Sequence, residues 1–233
     1  MKILLISENS NTRLVAPFPL GLAFVAGSLK RFGHEVVVLD FMFLDDWKES
    51  LRVTICDFRP EAVGLSLRNI DNQDMNNPVF FLPAHLDVVS EIRRLSNAPV
   101  ILGGSGFNIH PVGCLRFLGA DFGIYGEGEA ALPLLLDAMR DGTFEKVPGA
   151  VWKKDDQIII NELRYLSDDD QWSAPAYSDF DVMAYHEFSG ELPGCITVQS
   201  KRGCHMKCIY CSTPRKSNRN LTICDHRILI TLS

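Results

Sequence analysis

The segment that decides the fold is residues 2–40, in which KILLIS (Lys2–Ser7) is followed by LGLAFVAGSLKRF (Leu20–Phe32) and EVVVLD (Glu35–Asp40). The first and third runs are short and apolar, the third is rich in β-branched residues, and both have the length of a buried strand. The middle run has apolar residues at helical spacing and ends at Gly33, a residue type common just beyond a helix. Strand, helix and strand in this order predict a βαβ unit with two parallel strands.

The same alternation continues to about residue 140. The elements that we predict there are Trp47–Phe58 (helix), Ala62–Leu67 (strand), His85–Leu95 (helix), Pro99–Leu102 (strand), Pro111–Leu118 (helix), Asp121–Tyr125 (strand) and Ala130–Arg140 (helix). Apolar strands that alternate with helices are typical of α/β proteins, because the crossover helices cover both faces of a parallel sheet. The predicted fold class is therefore α/β, with a Rossmann-like doubly wound parallel sheet over residues 1–142.

Beyond residue 142 the pattern changes. Two strand-like runs, Ala150–Lys153 and Gln157–Ile160, are separated by Asp155-Asp156, which predicts a small β-hairpin. Ser167–Ser178 is acidic, polar and proline-containing, as linkers often are. We therefore predict three regions: the sheet domain at 1–142, a hairpin and linker at 143–193, and the start of a further domain at 194–233.

Composition and charge narrow the class of protein. The chain has 233 residues, of which 46% are hydrophobic and 22% charged, an ordinary balance for a soluble globular protein. Its formal net charge of -6 argues against nucleic acid as the main partner, since phosphate binding usually leaves a basic surface. No apolar run reaches the roughly 18 residues that a membrane span requires. Polar residues follow the N-terminal MKILLIS at once, which favours a buried strand over a signal peptide. We expect a cytoplasmic protein with no membrane span.

Ligands of doubly wound sheets bind beyond the carboxyl ends of the strands, so the loops after the predicted strands hold the candidate binding residues. No G-x-G-x-x-G loop follows the first strand, and a dinucleotide is therefore not indicated. The glycine-containing loops after the fourth and fifth strands either admit a bulky ligand or an anion, or simply turn the chain. The polar loop after the third strand either binds a ligand or is solvated. The candidates are Ser66, Arg68, Gly103, Gly104, Gly126, Glu127 and Gly128.

Three of the seven cysteines, Cys204, Cys208 and Cys211, lie in KRGCHMKCIYCS (201–212) with the spacing C-x3-C-x2-C. Thiolates this close on one loop can each hold one iron of a 4Fe–4S cluster, and the fourth iron is then open to a substrate or cofactor. A zinc site and three incidental buried cysteines are the alternatives. Zinc normally requires a fourth ligand, and His205 lies too close to Cys204 to complete a tetrahedron.

This motif resembles the signature of radical S-adenosylmethionine enzymes, with Tyr210 just before its last cysteine and a strand and basic turn (Ile196–Gly203) before its first. The resemblance implies a 4Fe–4S cluster whose open iron is chelated by the amino and carboxylate groups of S-adenosylmethionine. One-electron reduction by a flavodoxin- or ferredoxin-type donor then cleaves the sulfonium and yields a 5′-deoxyadenosyl radical, chemistry that belongs to the cofactors. By the same resemblance, Tyr210 is expected near the adenine.

The region before the motif resembles the cobalamin-binding domain of cobalamin-dependent radical S-adenosylmethionine enzymes. The matching segments are Pro19–Ala23, Gly33–Val36, Gly103-Gly104 and Gly126–Ala130. The resemblance implies cobalamin as a cofactor at the candidate loops. The D-x-H-x-x-G motif that supplies a cobalt-binding histidine in mutase-type proteins is absent. His85 and His110 follow the third and fourth strands, at the correct end of the sheet for a cobalt ligand. We expect both to be solvated loop or helix-start residues rather than cobalt ligands.

Together these patterns predict the N-terminal part of a cobalamin-dependent radical S-adenosylmethionine enzyme, which acts on a small molecule by methyl transfer or radical rearrangement. Only residues 212–233 follow Cys211, too few for a (β/α) barrel. We therefore expect a truncated barrel and a chain that is not active alone. Two alternatives remain open: a non-catalytic module that binds cobalamin or another small molecule and carries a vestigial cluster loop, and a redox protein that only carries electrons.

Overall fold

A computed structural model describes residues 1–9, 16–164, 173–188 and 197–199, and the backbone of residues 201–202 and 222–223. The strands of its main sheet are β1 (Lys2–Ser7), β2 (Glu35–Asp40), β3 (Ala62–Ser66), β4 (Val100–Gly103), β5 (Phe122–Ile124), β6 (Ala150–Lys154) and β7 (Gln157–Ile160). The α-helices are α1 (Leu20–Arg31), α2 (Trp47–Phe58), α3 (Leu82–Leu95), α4 (Pro111–Leu118), α5 (Gly128–Asp141) and α6 (Val182–Phe188). Two short strands, β8 (Lys201–Arg202) and β9 (Thr222–Ile223), pair antiparallel with each other.

The seven strands of the main sheet lie in the order β2-β1-β3-β4-β5-β6-β7. The first five are parallel in register, with Leu4 of β1 paired to Val37 of β2 and to Val63 of β3. The chain therefore moves from β1 to one side to form β2, and returns past β1 to form β3 and the strands beyond it. This order is the flavodoxin-like form of the doubly wound sheet, so the predicted fold class is confirmed.

Helices cover both faces of the sheet because side chains alternate along β1. Ile3 and Leu5 point to a core that contains Leu29 of α1 and Leu135 of α5. Leu4 and Ile6 point to a second core, which is built from α2, α3 and α4. A strand that is apolar on both faces has to be buried on both, which is why the continuous run KILLIS, with no polar alternation, predicted a parallel strand correctly.

The predicted boundaries agree with the structure to within two residues for all elements except α3, which begins at Leu82 rather than His85. Pro83 occupies the first turn of this helix, where a missing backbone N–H costs nothing. The sequence prediction placed the helix start after this proline. His85 therefore lies at the end of the first helical turn and not in a loop.

The predicted hairpin is present, and it extends the main sheet. β6 pairs antiparallel with β5, with Phe122 opposite Trp152, and β7 pairs antiparallel with β6. Val151 and Ala150 are fully buried on opposite faces of the sheet. The hairpin thus shares both cores of the sheet domain, while the division of the chain near residues 142 and 193 stays a prediction.

The described part of the predicted linker, residues 173–178, packs against the sheet domain together with α6. The amide of Ala176 donates to the carbonyl of Ala23 in α1 at 2.9 Å. Phe180 and Tyr185, just after the linker, are buried in the same core as α1. The apolar residues that follow the polar stretch explain this packing, because they gain burial only if the segment before them lies along the domain.

Within the described residues, no helix combines the length and apolar character needed to cross a membrane. The same part of the chain contains no group of three or more histidine, cysteine, aspartate or glutamate side chains placed to hold a metal ion. The predicted cluster ligands Cys204, Cys208 and Cys211, and Tyr210 with them, lie outside the described residues.

Candidate ligand-binding site

A cavity of about 680 Å³ opens at the carboxyl ends of the parallel strands. Ser7 of β1, Ser66 of β3, Gly103 of β4 and Ile124 of β5 line it, each at the last residue of its strand. The cavity lies at the point where the strand order reverses, because β2 and β3 lie on opposite sides of β1. Ligands of doubly wound sheets bind at such switch points, and the volume is in the range of small-molecule sites.

The walls of the cavity differ in polarity. The starts of α1 and α5 supply apolar groups, among them Leu20, Val25 and Leu132. The loops after β3 and β4 supply polar groups, chiefly Arg68 and Asn108. A mainly apolar wall with a few polar groups is the usual composition of a site that holds an organic ligand in one orientation.

The two glycines after β4 have different roles. A Cβ atom at Gly103 would meet no atom within 4 Å, so the cavity extends up to its backbone. Gly104 has φ +93°, and a Cβ there would lie 2.5 Å from the carbonyl oxygen of Leu67. Gly104 is therefore required for the turn of the chain, whereas Gly103 leaves room in the cavity. Of the two alternatives for the Gly-Gly pair, turning the chain applies to Gly104, and ligand contact at Gly103 stays a prediction.

Backbone hydrogen bonds tie the loops of the polar wall together. The amide of Leu67 donates to the carbonyl of Gly103, and the amide of Gly106 donates back to the carbonyl of Leu67, both at 2.8 Å. The hydroxyl of Ser105 donates to the carbonyl of Arg68 at 2.6 Å. These bonds satisfy the backbone at the ends of β3 and β4, where the sheet ladder stops.

A similar contact joins the loops after β4 and β5. Gly126 has φ +104°, and its amide donates to Oδ1 of Asn108 at 3.0 Å. The glycine allows the backbone to turn from β5 into α5, and the asparagine caps the amide that this turn exposes. Asn108 thus fixes the loop that carries Gly126, Glu127 and Gly128 along the cavity.

His85 is buried, so the prediction that it is solvated is wrong. Its Nε2 lies 3.0 Å from the carbonyl oxygen of Asn69, and its Nδ1 lies 2.8 Å from Oε2 of Glu8. Burial lowers the pKa of His85, but the contacts with Glu8 and Asn69 outweigh it, and the net pKa is above its ordinary value. His110, by contrast, is exposed at the start of α4, as expected.

A second buried polar contact lies at the end of β2. The hydroxyl of Tyr185 donates to Oδ2 of Asp40 at 2.6 Å, and the amide of Met42 donates to Oδ1 at 3.3 Å. Burial raises the pKa of Asp40, and the hydrogen bonds from Tyr185 and Met42 offset part of the rise. Neither Asp40 nor Tyr185 lines the cavity, but the pair joins α6 to the carboxyl edge of the sheet.

The structure brings the predicted binding residues of the sheet domain together around one cavity. All seven line it: Ser66, Arg68, Gly103, Gly104, Gly126, Glu127 and Gly128. Four further residues line it that the sequence prediction did not name individually, although the strand-end loops 7–19 and 103–110 contain three of them: Asn9, Phe18, Gly21 and Asn108. Asn108 follows a predicted strand, and Gly21 lies in the Pro19–Ala23 segment of the resemblance, so both carried a signal that could have identified them. The roles of all these residues in binding stay predictions.

The comparisons with known proteins agree with this geometry. The model of the B12 binding domain matches residues 12–136, which is more than half of the chain. The chain belongs to the B12-binding domain family. Residues 12–136 extend from the loop after β1 into α5, and they include every predicted binding residue around the cavity.

Relatives of this B12-binding domain protein include a methyltransferase and a methylase. It is 35% identical over 141 residues to the tryptophan 2-C-methyltransferase of Streptomyces laurentii, a match that covers 60% of this chain and 23% of that one. It is 29% identical over 205 residues to the hopanoid C-3 methylase of Methylococcus capsulatus, which covers 83% of this chain and 35% of the relative. The chain therefore spans well under half the length of these relatives.

Solved structures show the same relationship. The radical S-adenosylmethionine methyltransferase TsrM from Kitasatospora setae, with tryptophan substrate and the analogue aza-SAM bound, superposes with a TM-score of 0.75 at 26% identity. That match covers 91% of this chain and 41% of TsrM. The cobalamin-dependent enzyme OxsB, at 15% identity and a TM-score of 0.67, shares the fold. The predicted recognition is thus confirmed: the chain matches the N-terminal portion of B12-binding radical S-adenosylmethionine proteins.

Proposed function

We propose that this B12-binding domain protein holds cobalamin in the cavity at the ends of β1, β3, β4 and β5, as part of a cobalamin-dependent radical S-adenosylmethionine enzyme. The observation that carries the proposal is that the seven residues predicted from the strand-end loops line a single cavity inside the region matched by the B12 binding domain. Methyl transfer is the favoured reaction, because three of the relatives are methyltransferases or methylases. Radical rearrangement or cyclisation is the other reaction class.

The residues present fit a large, mostly apolar cofactor with polar side groups. Gly21 and Gly103 line the cavity, and a Cβ at either would meet no atom within 4 Å, so the backbone itself allows a close approach. Arg68, Ser66 and Asn108 would hold amide groups of the corrin, since each offers a hydrogen-bond donor. Cobalamin is larger than the ligands that cavities of this volume usually enclose, so part of it would lie across the mouth.

When bound, cobalamin would supply a cobalt centre that can carry a methyl group. No histidine is among the described residues that line the cavity. Both ring nitrogens of His85 face other partners, Glu8 and Asn69, and the ring is therefore committed to the protein. The described residues around the cavity would thus hold cobalamin without a contact from His85.

We also propose that Cys204, Cys208 and Cys211 hold a 4Fe–4S cluster, with S-adenosylmethionine at the open iron and Tyr210 near the adenine. The motif spacing and the solved TsrM structure with cobalamin and a [4Fe-4S] cluster support this assignment. Gln199 lines the cavity, and a chain of five residues from it to Cys204 spans at most about 18 Å. The cluster loop would therefore begin within reach of the cobalamin.

The proposed cluster chemistry also suggests an electron donor, a cellular compartment and a class of substrate. A cluster that must be reduced needs an electron donor, for which a flavodoxin or ferredoxin is suited, and the sensitivity of such clusters to oxygen favours the cytoplasm. The substrate would be a small molecule, as the tryptophan bound to TsrM is for that enzyme.

Reconstitution with hydroxocobalamin tests cobalamin binding. The chain should retain corrin through gel filtration at about one equivalent and change the visible absorption of the cofactor. A protein fraction that contains no corrin and an unchanged spectrum would contradict the proposal. The control is H110Q, which removes an exposed histidine that could bind cobalt non-specifically. This variant should retain as much corrin as the wild type.

Anaerobic reconstitution with iron and sulfide tests the cluster separately. We expect about four irons and four sulfides per chain, and a reduced-state electron paramagnetic resonance spectrum that changes when S-adenosylmethionine is added. The triple variant C204A/C208A/C211A should hold no cluster. A cluster whose spectrum ignores S-adenosylmethionine would indicate a redox protein, and retention of corrin without a cluster would indicate a non-catalytic cobalamin module.

A further inference from the structure

A buried pair of ionisable side chains lies directly behind the polar wall of the cavity. The side chains of His85 in α3 and Glu8 after β1 are 3% and 8% exposed, and Nδ1 of the histidine is 2.8 Å from Oε2 of the glutamate. The other ring nitrogen, Nε2, is 3.0 Å from the carbonyl oxygen of Asn69. Neither side chain lines the cavity. The pair therefore joins three segments, from β1, β3 and α3, without using the surface that a ligand would touch.

The surroundings of the ring determine its charge. A carbonyl oxygen only accepts hydrogen bonds, so Nε2 of His85 must carry a proton to donate to Asn69. In a neutral ring Nδ1 would then present a lone pair to the carboxylate of Glu8, which is repulsive at 2.8 Å. Nδ1 has no well-aligned acceptor, so its contact with Glu8 is electrostatic rather than a linear hydrogen bond. An imidazolium beside a carboxylate replaces this repulsion with attraction, in agreement with the raised pKa of His85.

The residues next to this pair form the cavity wall. Glu8 lies between Ser7 and Asn9 in the chain, and both of these line the cavity. Asn69, whose carbonyl accepts from His85, follows Arg68, the cationic residue of the polar wall. A shift of either backbone segment would therefore move groups that face the ligand.

The opposite side of the Arg68–Asn69 segment is held by the loop after β4. Ser105 donates to the carbonyl of Arg68, and a Cβ at Gly106 would lie 3.0 Å from backbone atoms of Asn69. The segment is thus clamped between this loop and His85. The carbonyl of Asn69 is turned toward the ring and is half-buried. Removal of the ring would leave this acceptor without its partner, and neutralisation of the ring would weaken the hydrogen bond, so both changes favour a different backbone conformation.

We propose that Glu8 and His85 are positioning residues, which hold the Arg68–Asn69 wall of the cavity in its binding conformation through their buried ion pair. Loss of the pair weakens ligand binding although no ligand contact is removed. The effect on the ligand rests on the proposed binding of cobalamin, whereas the effect on the wall does not.

Two variants test this inference. In E8Q the glutamine keeps the shape of the glutamate and removes its charge, so His85 should become neutral and its Nε2 should donate more weakly to Asn69. In H85Q the shorter amide cannot contact Glu8 and Asn69 at once. The matched controls are E91Q, which removes the same charge from a pair with the exposed Arg94, and H110Q, which makes the same change at an exposed histidine.

Amide hydrogen exchange measures the wall, and ring nitrogen chemical shifts measure the charge of His85. In the wild type at pH 7, we expect both ring nitrogens to be protonated. We expect exchange of the amides of residues 67–70 to be about tenfold faster in E8Q and faster still in H85Q, relative to the strand amides of Val63 and Leu65. The controls should remain within about twofold of the wild type. A neutral His85 in the wild type, or equal exchange in E8Q and the controls, would overturn the inference.

Titration with hydroxocobalamin measures the consequence for binding. E8Q and H85Q should raise the Kd about tenfold or more, while E91Q and H110Q leave it unchanged. If the wild type itself retains no corrin, the proposed function fails, and the exchange and ring-nitrogen measurements still decide whether the pair holds the wall. If the wild type binds and E8Q binds equally well, the positioning role fails and the proposed function stands.

Discussion

Substitutions at the two glycines after β4 should have different effects: one should impair ligand binding and the other should impair stability. Gly103→Leu places a side chain in the cavity, because its Cβ meets nothing within 4 Å and its φ is not positive. Gly104→Ala adds one methyl group where φ is +93° and the carbonyl oxygen of Leu67 lies 2.5 Å from the new atom. The first change should abolish cobalamin binding with the fold intact, and the second should destabilise the fold.

The sizes of the two effects follow from these contacts. A non-glycine residue in a sparsely populated φ region costs about 1–3 kcal/mol, and overpacking against a backbone oxygen costs about 1–3 kcal/mol more. Gly104→Ala should therefore lower the free energy of unfolding by about 2–5 kcal/mol, a large part of the stability of a small domain. Gly103→Leu should change it by less than about 1 kcal/mol, since a strand residue other than glycine restricts the unfolded chain.

Urea unfolding and hydroxocobalamin titration, applied to both variants, measure the two quantities. For Gly103→Leu the Kd should rise at least about 100-fold, equivalent to roughly 2.7 kcal/mol of lost binding free energy. Wild-type affinity in this variant would show that the ligand does not occupy the cavity at β4. An unchanged unfolding midpoint for Gly104→Ala would show that the backbone does not make the close turn on which the distinction rests.

Three further predictions concern stability. Gly27→Ala should destabilise the chain in urea unfolding, because the new methyl would collide with the carbonyl of Ala174; an undocked segment would instead give a gain of about 1 kcal/mol from helix propensity. Tyr185→Phe should cost about 1.5–3 kcal/mol at pH 7 and less near pH 4, since the lost hydrogen bond serves the ionised form of Asp40. The raised pKa of His85 stabilises the fold fully below its ordinary value of 6.5, and this stabilisation is lost as pH rises through the raised pKa of the folded protein. The free energy of unfolding should therefore fall with pH across this range in the wild type, and this dependence should vanish in E8Q.

The fold was predictable because its signal is local. Each parallel strand is a short apolar run such as KILLIS or EVVVLD. Because such strands are buried on both faces, their side chains do not alternate between apolar and polar, and the continuous apolar run identifies them. The strand-end rule then identified seven residues of the cavity without any knowledge of distances. Both successes depend on physics that acts within a few residues of the chain.

The misses concern contacts between distant parts of the chain. Tyr185 and Asp40 are 145 residues apart, and nothing in either neighbourhood indicates the other. His85 was expected in solvent because its partners, Glu8 and Asn69, lie on other elements. Gly103 and Gly104 differ in their backbone angles and in their distance from one carbonyl oxygen on a neighbouring loop. The sequence of two adjacent glycines reveals neither property.

The walls of the cavity also depend on residues beyond the matched B12-binding region. Phe18 lines the cavity, and its ring contacts those of Tyr177, Phe180 and Tyr185 at centroid distances of 5.4, 5.1 and 5.3 Å. Those three residues follow the hairpin, outside residues 12–136. Aromatic pairs of this geometry contribute about 0.5–1.5 kcal/mol each beyond their burial, enough together to fix the position of Phe18. The segment that leads toward the cysteine motif therefore stabilises one wall of the proposed cobalamin site, so the position of that segment and the shape of the cavity are physically linked.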